Sequence, residues 1–290
     1  MPSPLHQPIL RWYADHQRDL PWRRPEASAW SVLVSELMLQ QTPVARVLPM
    51  HEEWLERWPT PADLAAEPAG EAVRAWGRLG YPRRALRLHA AAVAIVERHG
   101  GEVPDAYGDL IALPGVGDYT AAAVASFAFR QRHVVLDTNV RRVLARALSG
   151  VEFPGASVTR AERELAASVL PSSDETAATW AVAVMELGAL VCTAGSPRCG
   201  DCPIADRCAW LGAGAPAYDG PPRRRQAWAG TDRQCRGRLM AVLRTEDGPV
   251  HLSRLEAAWP VAADQRERCL HSLVEDGLAV AGPGDRYALP

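Results

Sequence analysis

Cys192, Cys199, Cys202 and Cys208 stand in a Cys-x6-Cys-x2-Cys-x5-Cys run of 17 residues. Four thiolates so close in sequence ask for a tetrahedral metal ion or an iron–sulfur cluster. Ligand type alone does not separate the two, since zinc accepts the same four sulfurs. Disulfides are disfavoured, because nothing else in the chain indicates an oxidising compartment. Two carboxylates point to a different chemistry. Glu36 lies in Ser35-Glu36-Leu37-Met38-Leu39-Gln40-Gln41-Thr42, a stretch otherwise mostly apolar around it. A glutamate there is a paired buried charge or a functional acid, because burying it alone costs several kcal/mol. Asp137 follows Val134-Val135-Leu136 and precedes Thr138-Asn139-Val140, where its bland role is a helix N-cap. Capping and catalysis do not exclude each other. Together the two supply what cleavage of an N-glycosidic bond to a purine requires. One acid protonates the leaving base, and one fixed anion stabilises an oxocarbenium-like sugar.

The elements that must position these groups are helices. Residues 28–41 carry apolar side chains at helical spacing, with Ser28 at the N-cap position. Further helices are predicted at Asp63–Ala65, Glu71–Leu79, Arg84–His99 and Tyr107–Leu113, punctuated by Pro and Gly. Tyr119–Phe129 is Ala-rich and suits a buried helix. A helix opens at Asp137 and runs through Leu148, and Thr159–Leu170 and Thr176–Val191 follow, the last leading into the cysteine loop. Leu113-Pro114-Gly115-Val116-Gly117 is a turn that admits no side chain larger than Val116. If a helix starts at Asp118, its free N–H groups point out of the turn and receive a phosphate oxygen. That is a helix-hairpin-helix, a sequence-independent grip on a DNA backbone. An ordinary helix–helix turn is the bland alternative.

Composition sets the outer limits. The chain has 290 residues, is 48% hydrophobic, and carries a formal net charge of −2. That length supports one large or two smaller cores. The net charge excludes a uniformly basic coat, so any nucleic-acid contact must be a local patch. All 32 Lys+Arg residues are arginine. Neither a secretory h-region nor an apolar stretch near the roughly 18 residues of a membrane span is visible. A cytoplasmic, nucleoid-associated monomer without a membrane partner is expected.

Taken with the hairpin and the cysteine spacing, Ser35–Thr42, the Gly80-Tyr81 step after Trp76, and Leu136–Arg146 resemble the MutY-type adenine DNA glycosylases of the endonuclease III superfamily. The resemblance covers about residues 8–210. It implies an all-α helix-hairpin-helix glycosylase fold, in which a six-helix barrel spans about residues 21–130. Residues 1–20 with 131–211 would form the iron–sulfur domain, its four cysteines holding a 4Fe–4S cluster. It implies that Glu36 protonates adenine, that Asp137 stabilises or captures the sugar cation, and that Asn139 helps position water. Tyr119 stands where bifunctional lyases have a lysine nucleophile, so hydrolysis without strand cleavage is implied. Gln41 and Tyr81 would wedge into the base stack. Thr42 and Leu79 flank those wedges, Gly115, Val116 and Gly117 grip the backbone, and Arg23, Leu39 and Glu186 would line the adenine pocket. The substrate implied is double-stranded DNA with adenine opposite 8-oxoguanine or guanine.

Two features depart from that pattern. Pro82 replaces a second tyrosine, and only 82 residues follow Cys208, without likeness to the 8-oxoguanine-reading domain of longer relatives. Gly212–Pro222 reads as a linker. Beyond it, helices at Asp232–Arg244, Leu252–Ala258 and Asp264–Asp276 precede a hairpin of Leu278–Val280 and Tyr287–Leu289. That is the order of a small winged-helix-like module over residues 223–290. Arg223, Arg224, Arg225, Arg233, Arg236 and Arg238 are either a solvated surface or phosphate contacts. Cys235 and Cys269 read as ordinary helix residues. Two rival functions fit part of the pattern. A thymine or uracil glycosylase acting on G mismatches has less need of a ring-nitrogen acid such as Glu36. A non-enzymatic iron–sulfur DNA-binding protein has no use for both Glu36 and Asp137.

Overall fold

A computed structural model of the chain describes residues 3–220 and 228–290. It forms two compact units. One comprises Met1–Glu36, Pro104–Ala112 and Val116–Pro221, the other Leu37–Val103, Leu113–Gly115 and Pro222–Pro290. Arg223, Arg224 and Arg225 lie outside the described residues.

In the first unit, α1 (His6–His16), α9 (Thr138–Ser149) and α11 (Asp174–Leu190) pack around one core of Ile9, Trp12, Val143, Leu144, Trp180 and Leu187. α9 is strongly amphipathic and turns one face to this core, whereas α11 is apolar on nearly every side and is buried through most of its length. α9 begins where Asp137 accepts the Val140 N–H. α10 (Arg160–Ser168) begins with a capping box between Thr159 and Glu162. α7 (Tyr107–Ile111) and α8 (Asp118–Phe127) flank the Leu113–Gly117 turn. A short α12 (Ala209–Gly212) follows the cysteine loop. The predicted linker is held down as far as it is described. Trp210 Nε1 donates to the Pro216 carbonyl, and the Tyr218 N–H donates to Glu152.

The second unit starts with the end of α2 (Ala29–Leu39) and continues through α3 (Val44–Arg57), α4 (Pro61–Ala65), α5 (Ala69–Ala75) and α6 (Arg83–His99). Trp54 packs edge-on against both Trp58 and Trp76, all three nearly fully buried. The same unit includes α13 (Asp232–Thr245), β1 (Val250–His251), α14 (Leu252–Ala258), α15 (Ala263–Glu275), β2 (Val280–Gly282) and β3 (Arg286–Ala288). The sheet is antiparallel in the order β1-β3-β2. Helix, short strand, two helices and a hairpin reproduce the winged-helix order predicted, within an otherwise helical chain. The C-terminal segment docks directly on α5 and α6. Arg244 Nε donates to the Val73 carbonyl, Arg74 to the Glu246 carbonyl, and the Gly70 N–H to the Pro290 carbonyl.

Several boundaries differ from those predicted. The helix expected to reach Leu79 ends at Ala75, because the Gly77 and Gly80 backbones turn to positive φ. The helix expected to reach Gln41 ends at Leu39, with Gln41 itself in the left-handed region. Three helices, α1, α3 and α12, and the strand β1 were not predicted.

Candidate active site

Glu36 faces the interior of the first unit and is 4% exposed. The Tyr119 hydroxyl, from the start of α8, donates to Glu36 Oε2 at 2.8 Å. Burial raises the carboxyl, against the lowering effect of that hydrogen bond and of Arg23. Asp137 raises it further, and the result is a pKa of about 7. Such a group is available as a neutral acid near neutrality. With Oε2 occupied by Tyr119, the transferable proton belongs on Oε1. The phenol of Tyr119 is itself pushed well above its ordinary value by burial and by the Glu36 and Asp137 charges. It therefore stays a donor.

Asp137 is half-buried and held at both oxygens. Oδ1 accepts the Val140 N–H at 2.6 Å, and Oδ2 accepts Asn139 Nδ2 at 2.7 Å. Burial raises its carboxyl more than these two donors lower it. The N-cap role and the anionic role thus coincide, because the helix N-terminus that Asp137 caps also favours its charge. Asn139 is fixed in turn by Arg142, whose NH2 donates to Asn139 Oδ1 at 2.8 Å and to the Gly188 carbonyl at 2.6 Å. Gly188 has to be glycine, since a Cβ there would lie 2.7 Å from the Asn139 Cβ and 2.9 Å from its carbonyl.

Glu186 is fully buried and belongs to a different arrangement. It forms a two-pronged pair with Arg18, whose Nε and NH2 each lie 2.7 Å from one of its oxygens, and a further contact with Arg23 at 2.9 Å. Burial pushes its carboxyl up, but the bonds from Arg18 and the Arg23 charge outweigh that and hold it below its usual range. Glu186 is therefore an ionised anchor that aims Arg23. Arg18 carries no sequence signal, lying in a polar Gln17-Arg18-Asp19 stretch.

The second unit holds Leu39, Gln41, Thr42, Leu79 and Tyr81 around Arg84, which the sequence did not single out. This arginine is 5% exposed. Its NH1 donates to the Leu37 and Met38 carbonyls at 2.8 and 2.9 Å, and its NH2 to Thr42 Oγ1 and the Gly80 carbonyl at 3.0 Å each. Thr42 Oγ1 also donates to the Leu79 carbonyl. One guanidinium thus joins the C-terminal end of α2, with Leu39 and Gln41, to the turn carrying Leu79 and Tyr81. In the hairpin turn, Gly115 takes φ +78°, and a Cβ would meet that of Arg87 at 2.6 Å. Val116 is buried. Gly117 caps α8 with extended backbone, and no side chain competes for the first N–H groups of the helix.

The four cysteines lie in one loop after α11, with Cys199–Asp201 and Ala205–Arg207 in single 3-10 turns. Arg142 Nε donates to the Cys192 carbonyl at 2.7 Å, and the almost fully buried Arg146 to Cys192 Sγ at 3.3 Å. Burial, with Cys192, Cys208 and Cys199 acting after it, pushes the Cys202 thiol up to about 11. Thiols gathered this way become thiolates only against a compensating cation. Among the described residues, no three His, Cys, Asp or Glu side chains converge on a single ion. A set of four cysteine sulfurs in one loop fits a 4Fe–4S cluster. A bound cluster would tie the loop to itself, and Arg142 joins the Cys192 carbonyl of that loop to Asn139.

With this geometry in place, comparison with known proteins becomes specific. Residues 34–168 match the HhH-GPD superfamily of base excision DNA repair proteins, and residues 192–208 the iron–sulfur binding domain of endonuclease III. An adenine DNA glycosylase of Mycobacterium tuberculosis is 54% identical over 283 residues, 97% of this chain and 92% of the relative. One of Mycolicibacterium smegmatis is 52% identical over 281 residues, 97% and 94% of the two chains. Among solved structures, a thermostable thymine-DNA glycosylase superposes with a TM-score of 0.63 at 25% identity, over 71% of this chain and 94% of that one. The chain belongs to the adenine DNA glycosylase family, and its cofactor is a 4Fe–4S cluster, the matched binding domain spanning Cys192–Cys208.

Proposed function

We propose that this protein is a monofunctional glycosylase that hydrolyses the N-glycosidic bond of adenine opposite 8-oxoguanine or guanine in duplex DNA. The observation that carries this reading is the buried Glu36, held by Tyr119 and poised at a pKa of about 7. Purine departure is assisted by protonating a ring nitrogen, and a buried neutral carboxyl supplies that proton. Asp137, ionised and held by Val140 and Asn139, stands against the positive sugar. Asn139 positions the attacking water. The Arg23–Glu186 pair shapes the base pocket. Gln41 and Tyr81 wedge into the base stack beside the lesion, and the Gly115–Gly117 turn grips phosphate. The protein acts as a soluble cytoplasmic monomer.

The likeness to a thymine-DNA glycosylase supports a second reading, excision of thymine or uracil opposite guanine. Purified holoprotein incubated with A:8-oxoguanine, A:G, T:G and U:G duplexes separates the two. Adenine release from the first two alone is expected. Release of thymine or uracil as the main product would establish the second reading instead.

A further inference from the structure

Tyr81 projects from a turn that leaves the residue 44% exposed. Its backbone has φ +48°, in a region that a residue with a bulky side chain seldom adopts, directly after Gly80 at +83°. The turn beneath is pinned, since Trp76 Nε1 and Arg84 NH2 both donate to the Gly80 carbonyl at 3.0 Å. The ring itself is covered from the C-terminal segment. The guanidinium carbon of Arg233 lies 5.0 Å from the Tyr81 ring centroid and 5.5 Å from that of Trp228, which is 53% exposed. The start of α13 fixes this arrangement. Thr231 Oγ1 donates to the Trp228 carbonyl, and Gly230 N–H donates to the Gln234 side chain. Arg233 is thus a cation held between two exposed aromatic rings, and a merely solvated arginine has no reason to lie over both.

We propose that Arg233 is a positioning residue for Tyr81, so that Trp228, Arg233 and Tyr81 act as one surface on duplex DNA opened at a mispair. The proposal rests on the reading above, in which Tyr81 enters the base stack. A ring held in one orientation before binding loses less freedom on insertion. The surface offers what an unstacked base and its phosphate require, namely aromatic faces with a cation between them. On this account the C-terminal segment, whose arginines read from sequence as a solvated surface or phosphate contacts, reaches the lesion through Tyr81.

The test is a double-mutant cycle in the full-length, cluster-loaded protein. Binding is measured to a duplex carrying an uncleavable adenine analogue opposite 8-oxoguanine, and to a fully paired duplex. Arg233→Ala should weaken binding to the lesion duplex by about two- to fivefold, the scale of an exposed cation–π contact. Arg233→Lys should restore part of it, and Arg233→Ala should add nothing to Tyr81→Ala. Equal losses in both backgrounds and on both duplexes would overturn the proposal in favour of a plain phosphate contact. Unchanged or tighter binding would overturn it as well. A wild-type protein that releases no adenine would instead defeat the underlying function, whatever the cycle shows.

Discussion

At the scale of single residues, the account turns on two carboxyls and their holders. Glu36 must be protonated to act, so activity should fall as pH rises through its pKa of about 7. Asp137 must be ionised, so activity should also fall in acid, and sooner than for an ordinary aspartate because its pKa is raised. The hydrogen bond from Tyr119 lowers the Glu36 pKa. Tyr119→Phe removes it and should move the alkaline limb of the single-turnover rate to higher pH. An unmoved limb would show that the phenol does not tune this acid. Asp137→Asn keeps the cap but loses the anion. Base release should fall by about a hundredfold or more, with the fold intact by melting temperature.

At the scale of elements, arginines join the pieces. Arg84 donates to four carbonyls and a hydroxyl between α2 and the Gly80 turn. Arg84→Met should strip the guanidinium donors from these buried acceptors and lower stability by at least about 2 kcal/mol in denaturant unfolding. Unchanged stability would mean that water replaces the guanidinium. Glu36, Asp137, the hairpin and the cysteines were legible in the sequence because each has a local signature: an acid in an apolar helix, a cap before a helix, a glycine turn, a thiol spacing. Arg84 and Arg18 were not, because their partners lie far along the chain; Arg233 was legible only as one of six clustered arginines, and its place over Tyr81 was not, for the same reason. The strand β1 was missed for a similar reason. It has two residues, and only pairing of Val250 with Tyr287 makes it a strand. Helix α3 carries an internal proline, and no side chain caps its N-terminus.

At the scale of the whole molecule, charge and docking govern behaviour. The chain contains no lysine, so a Schiff base has no side-chain amine to form on. Borohydride should trap little enzyme on DNA, and the abasic strand should stay intact until alkali is added. Efficient trapping with a blocked N-terminus would contradict this. Truncation after Pro222 removes the bonds to Val73, Arg74 and Gly70 and should lower the melting temperature. It should also flatten the salt dependence of DNA binding. The holoprotein should contain about four iron per chain, and Cys199→Ser should cost both cluster and stability. The claim on which all of this depends is that a buried Glu36 delivers a proton to adenine. Its most direct test is the single-turnover rate of adenine release against pH, for wild type and Glu36→Gln. The expected result is a wild-type rate that declines above pH of about 7 and a variant that binds DNA but is slower by roughly a hundredfold or more. A rate that stays level through that range, or near-normal turnover by Glu36→Gln, would contradict the account.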